Sequence, residues 1–279
     1  MTRMEENELL YWLGEQELDI FLLLVEGNTD IRFWSLLAPI ALRNRTVIYP
    51  IDRIDVPGGP RSARGRALFL ADRLRQTEVS DRVKFFLDAD ADHLLGRNCP
   101  LNVILTDYRD LEAYAFHVEA MRSVLFSFGH DPDGAEAALA VLGRIVRPCG
   151  LVRLMDEIHQ LALPFQRTWR SGLTRQIKGA KQDPQVPTSI LFRALLQNAD
   201  ISLSRLTWAE GCLQAVAADY AAVDTLSLAH GKDLISAISW RFTVGYDEAE
   251  RAVLAALAES RHRILQQPQL RLAHDFVLQ

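Results

Sequence analysis

The chain has 279 residues, 49% of them hydrophobic, and a net charge of -5. That length supports one large core or one and a half ordinary ones, and the negative balance excludes a protein that coats nucleic acid by bulk charge, leaving room for a local basic surface. Three cysteines without C-x-x-C or Cys/His spacing offer neither a disulfide framework nor a zinc site, which fits a reducing, cytoplasmic compartment; no apolar run reaches the ~20 residues that span a bilayer, and the acidic opening MTRMEENELL is not a signal peptide.

Up to about residue 116, short continuous apolar runs alternate with helical patterns. FLLLV leads into a helix over TDIRFWSLLAPIAL, TVIYPI into a helix over ARGRALFLADRLRQ, and then come VKFFLDAD and NVILT. Runs that read as buried on both faces, with helices between them, predict an α/β layer with a largely parallel sheet flanked by helices. Thr29 and Asp30 stand where an N-cap and a first-turn anion start the first of these helices. Gly58 and Gly59 mark a tight polar connection that lacks the G-x-x-x-x-G-K-[ST] of a P-loop, so ATP binding by this chain is not expected. Beyond that point AEAALAVLGRIV, LVRLMDEIHQLAL, TSILFRALLQN, TWAEGCLQAVAADYAA, KDLISAISWRF and DEAERAVLAALAESRHRIL repeat near 3.6 residues. Two regions are expected: an α/β domain over 1–120 and a mainly helical region over 121–279. Trp12, Trp34, Trp208 and Trp240 lie on apolar helical faces and read as core.

In open parallel sheets ligands bind outside the carboxyl ends of the strands, and there the carboxylates concentrate. Glu26 ends the first run, Asp88 and Asp90 end the third, and Asp92 follows in what reads as loop. The i, i+2 spacing of Asp88 and Asp90 can turn both side chains the same way. After the fourth run, TDYRDLEAY offers Asp107, Asp110 and Glu112. Such acids repel one another unless a cation neutralises them. With no histidine cluster, a hard ion, Mg2+ or Mn2+, is the expected cofactor. A lone strand-end acid is more often a cap or turn residue than a ligand; Glu-Gly after one strand with Asp-x-Asp two strands later favours a metal site.

VEGNTD followed by FFLDADAD resembles the Toprim domain of topoisomerases, primases and OLD-type nucleases, in which Glu-Gly ends the first strand and Asp-x-Asp the third. The resemblance covers roughly residues 18–116. TDYRDLEAY, HGKDLISAI, the length and the helical C-terminal half look closest to the Toprim effector subunit of PARIS anti-phage systems. This implies a nuclease that cuts RNA of the transfer class, is held silent by an AAA/ABC-type ATPase partner, and acts as a toxic effector. The resemblance carries over to Glu26, Asp88 and Asp90 as catalytic and metal-binding residues, and to Glu112 as a further metal ligand.

A nucleic-acid surface is expected from FQRTWRSGLTRQIKGAK, where Arg167, Arg170, Arg175, Lys178 and Lys181 follow one another without an acid and Trp169 offers a stacking face. His230 and Lys232 stand at a helix start where phosphate binds. With so few basic contacts, a homodimer or a basic partner is expected in the active state. Two other readings stay open. One is a haloacid-dehalogenase-type phosphatase, whose Asp-x-Asp belongs on the first strand and which leaves Glu26 without a role. The other is a Toprim-shaped module that binds a partner without catalysis.

Overall fold

The computed structural model describes residues 4–15, 20–39, 45–165, 177–199, 202 and 205–279. These divide into two compact units, Met1–Asp107 with Ser260–Gln279 and Tyr108–Glu259.

The first unit is built on a four-stranded sheet, all of it parallel. Strand β2 (Phe21–Val25) pairs with β3 (Thr46–Pro50) on one side and β5 (Val83–Leu87) on the other, and β6 (Val103–Leu105) lies beyond β5. A small parallel pair, β1 (Met4–Glu5) with β4 (Ile54–Asp55), stands apart from it. FLLLV and VKFFL occupy the two inner positions, where both faces are covered and a largely apolar run is what the environment demands; the one charged residue, Lys84, is only partly buried. On one face Leu22, Leu24, Val83, Phe85 and Leu87 pack with Ala67, Leu70, Ala71 and Leu74 of helix α3 (Ala63–Leu74). On the other, Trp34 of helix α2 (Asn28–Leu37) meets Phe86 edge-on at 5.2 Å, and Phe21 meets Phe276 at 5.6 Å. Helix α1 (Glu6–Glu15) contributes Leu9 to the α3 side, and the short α4 (Asp92–Leu95) follows β5.

The last helix of the chain, α13 (Pro268–Val277), belongs to this unit, as does the short α12 (Arg261–Ile264) before it. Asp107, just past β6, holds its start by accepting from the N–H groups of Gln269 and Leu270 at 3.0 and 3.1 Å. Asp107 is therefore an N-terminal cap supplied from a distant part of the chain.

The second unit is helical: α5 (Val118–Ser127), α6 (Ala135–His159), α7 (Thr188–Asn198), α8 (Leu206–Asp219), the short α9 (Thr225–Leu228), α10 (Gly231–Phe242) and α11 (Tyr246–Glu259). The two expected segments on either side of RPCG are one helix, α6, which runs through Pro148. Ile145, Val146, Cys149 and Val152 stay buried along it, so packing outweighs the hydrogen bond that proline removes. Gly150 is required by close approach rather than as a break, because a Cβ there would stand 2.1 Å from the Leu228 carbonyl oxygen. Trp34 is fully buried, as its helical face predicts, whereas Trp208 is half exposed. Among the described residues no helix is long and apolar enough to cross a membrane.

Candidate active site

Helix α2 begins earlier than Thr29: Gly27 is its N-cap, and Asp30 serves as the first-turn anion, accepting from the Gly27 N–H at 2.7 Å. This fixes the turn that carries Glu26 off the tip of β2. On the neighbouring strand β5 ends at Leu87, so Asp88 and Asp90 lie beyond the pleat, and its alternation does not orient them. Their placement comes from the turn. Asp88 donates its N–H to Glu26 Oε1 at 3.3 Å, joining the two tips. The Ala89 N–H is held by Thr106 Oγ1 at 2.8 Å from the end of β6, and His93 Nε2 donates to the Thr106 carbonyl at 2.6 Å. Asp90 sits at φ 49, a left-handed conformation that aspartate tolerates better than most residues but that still costs free energy.

Asp92 is the first residue of α4 rather than part of a loop, and its side chain is 8% exposed. It pairs with Arg64, and with Arg97 at 3.4 Å. Arg64 was not among the residues expected from the sequence, yet it is the centre of this group. From the first turn of α3 its guanidinium donates to the Asp88 carbonyl and to Asp92, with Glu26 Oε1 at 3.7 Å and Asp90 Oδ2 at 3.6 Å. Burial disfavours the charged guanidinium, but Asp90, Asp92 and Glu26 outweigh it and hold Arg64 above its ordinary value.

The structure thus brings Glu26, Asp88 and Asp90 together at one sheet edge, and it supplies a cation of its own. Their oxygens are the right kind of donor for Mg2+ or Mn2+. Their arrangement does not fit a metal: a guanidinium lies among them, and among the described residues no three His, Cys, Asp or Glu side chains are gathered so as to hold an ion. The expected repulsion between acids is answered by Arg64.

Glu112 lies in the second unit, in a 3-10 turn over Glu112–Ala115, and is buried. Its neighbour Asp110 accepts from the N–H groups of Gly231 at 2.6 Å and Ala113 at 3.1 Å, and its Oδ2 stands 3.1 Å from His230 Nδ1. A Cβ at Gly231 would stand 2.3 Å from the Glu112 Cβ, so this contact requires glycine. Burial, and then the charge of Glu112, push Asp110 up to about 8 against the pull of the two N–H groups. His230 is held well below its ordinary value by burial and by Arg153, Arg109 and Lys232. Both shifts disfavour an ion pair between the two side chains. Below them Arg153 grips the fully buried Asp233 with two bonds of 2.8 and 2.9 Å and stacks over Phe165 at 4.4 Å. The arrangement reads as a structural polar core.

Of the expected nucleic-acid residues, Arg167, Arg170 and Arg175 lie outside the described residues, as does Trp169. Lys178 is exposed, its backbone forming an isolated antiparallel bridge with Gln185, and Lys232 is exposed in the first turn of α10. Lys181 is engaged at the other end of that helix, where its ammonium donates to the carbonyl of Trp240 and to Thr243 Oγ1 at 2.7 Å. His230 is the N-cap of α10, accepting from the Lys232 N–H at 3.2 Å.

Compared with known proteins, the chain matches no family model and no curated protein.

Proposed function

We propose that the chain is a metal-dependent, Toprim-like nuclease that hydrolyses phosphodiester bonds at the edge formed by Glu26, Asp88 and Asp90. RNA of the transfer class is the proposed substrate, and the proposed setting is a toxic anti-phage effector held inactive by an ATPase partner in the cytoplasm. The observation that carries this reading is the bond from the Asp88 N–H to Glu26 Oε1, which draws acids from two adjacent parallel strand tips to one place. This is the edge at which open parallel sheets bind ligands.

Gly27 adds support. Its φ of -162 is open to any residue, and a Cβ there would meet nothing within 4 Å. The fold does not need glycine at this position, whereas a phosphate approaching Glu26 gains room from it. Arg64 offers the planar fork that suits phosphate. Were Arg64 drawn away, Glu26 would be the residue to hold a metal or to take the proton of an attacking water, and both roles would need its carboxylate at the strand tip. Glu112 is left out of the proposed site because its carboxyl belongs to the Asp110 and Gly231 cluster of the second unit. Lys178 and Lys232 remain as exposed candidates for phosphate contact.

A partner-binding module without catalysis is the second reading, and Arg64 favours it: paired acids have a structural use that repelling acids lack. A substrate panel separates the readings. The chain is incubated with labelled transfer RNA, duplex DNA and p-nitrophenyl phosphate, in Mg2+, Mn2+ or chelator. Metal-dependent cutting of RNA alone supports the nuclease. Release of nitrophenol without nucleic-acid cleavage indicates a phosphatase, and no turnover with any substrate at any protein concentration supports the silent module.

A further inference from the structure

We infer that Arg64 is the resident counter-ion of the strand-end acids and that, in the chain by itself, it closes this edge to divalent ions. The inference rests on the reading of Glu26, Asp88 and Asp90 as the metal-binding acids, and it starts from the misfit between those acids as placed and any metal. Arg64 sits in the first turn of α3, next to the Ser62 N-cap that accepts from the Gly65 N–H at 3.1 Å. A cation in a helix's first turn faces the positive end of the macrodipole and is locally unfavourable. Its conformation is therefore set by what the guanidinium meets. It meets groups from two strand tips and a third element: Glu26 after β2, Asp88 and Asp90 after β5, and Asp92 at the start of α4.

These contacts differ in kind. Nη2 is paired with Asp92, a buried carboxylate outside the Glu-Gly and Asp-x-Asp motifs. Nη1 bonds to the Asp88 carbonyl and reaches Glu26 and Asp90, the motif acids. A magnesium or manganese ion binds carboxylate oxygen at about 2.0–2.1 Å. On the Glu26 or Asp90 oxygen it would be only a few ångströms from a guanidinium already 3.6 to 3.7 Å from the same atoms. Two cations cannot share these oxygens at that range without strong repulsion. Entry of the ion therefore requires Nη1 to withdraw, while Asp92 keeps hold of Nη2. Anything that draws Arg64 away, such as a phosphate or a partner carboxylate, opens the edge to metal.

The test measures binding of manganese chloride to the full chain by the loss of the free-ion electron paramagnetic resonance signal. Wild type, Arg64→Gln and Arg64→Lys are compared at one ionic strength. Arg64→Gln is expected to bind at least about tenfold tighter than wild type, and Arg64→Lys, which keeps the charge, to stay near wild type. Equal tight binding by wild type and Arg64→Gln removes the role of Arg64 and leaves the metal reading standing. No binding by any of the three removes both. A second measurement needs no variant: phenylglyoxal labelling of Arg64 in the wild-type chain, read by peptide mass spectrometry, should accelerate as manganese is added. Labelling that stays constant while manganese binds at the acids overturns the inference.

Discussion

Replacing Asp90 and Asp92 separately by asparagine decides whether attraction or repulsion governs the acid edge. Coulomb's law at an effective dielectric of about 20 gives roughly 4–5 kcal/mol for the Arg64 and Asp90 charges at 3.6 Å. The Asp90 side chain is 41% exposed, however, and water and side-chain entropy reduce such a pair to about 0.2–1 kcal/mol. Asparagine also tolerates the left-handed backbone at this position. Asp92 is different, with 8% exposure and a direct charge-assisted bond to Arg64, the kind of bond that contributes about 1.5–3 kcal/mol. Asp92→Asn should therefore destabilise the first unit by that amount, and Asp90→Asn by less than about 1 kcal/mol. Hydrogen exchange of the β5 amides, Val83–Leu87, reads this unit alone, in chelator and low denaturant. With about 1.4 kcal/mol per factor of ten, globally exchanging amides should speed up roughly 10- to 150-fold in Asp92→Asn and less than about 6-fold in Asp90→Asn. Slower exchange in Asp90→Asn, or in the Asp88→Asn, Asp90→Asn double variant, would refute the reasoning, because it would mean that the acids repel despite Arg64.

Three further outcomes can be checked on the same protein. Arg153→Met leaves the fully buried Asp233 without its partner and should cost about 3–5 kcal/mol in urea unfolding, most of it recovered when Asp233→Leu is added; a double variant as unstable as the single would contradict the pairing. Gly27→Ala should leave melting within about 0.5 kcal/mol of wild type, since the added methyl meets open space, while lowering cleavage of RNA; equal cleavage would show that no ligand passes there. Asp110, raised to about 8 in the fold, binds a proton that the unfolded chain releases near pH 4, so its contribution to stability is present below that pH and is lost as pH rises from there to about 8. His230, held neutral, acts in the opposite sense below its ordinary value. Between pH 7 and 8.5 Asp110→Asn should therefore show a flatter fall in melting temperature than wild type, and identical slopes would remove the protonated carboxyl.

The inner strands were legible because a strand covered on both faces must be largely apolar, and FLLLV, and VKFFL apart from the partly buried Lys84, have that character. Glu26, Asp88 and Asp90 followed, since the carboxyl ends of such strands share one edge. Arg64 was missed because nothing in the local pattern distinguishes it from its neighbours Arg61 and Arg66. The available signal was topological: in a parallel layer the first turn of a helix stands at the edge where the preceding strand ends. Asp107 read as one more strand-end acid, and its partners, Gln269 and Leu270, lie more than a hundred residues along the chain, where no local rule reaches. The same holds for α13, whose return to the first unit is decided by contacts such as Phe21 with Phe276. Pro148 and Gly150 looked like a break because sequence cannot show that α6 is held by burial on both sides of them.

The most direct test of the proposed site is cleavage of labelled transfer RNA by wild type, Glu26→Gln, Asp88→Asn and Asp90→Asn, each first shown by hydrogen exchange to be folded. Protein concentration is raised stepwise at about 0.15 M salt, in Mg2+, Mn2+ and chelator. The expected result is metal-dependent cleavage by wild type that is weak when the chain is dilute, and its loss in all three variants. Cleavage that persists in chelator, or in any folded variant at the wild-type rate, would contradict the assignment of phosphodiester chemistry to this edge.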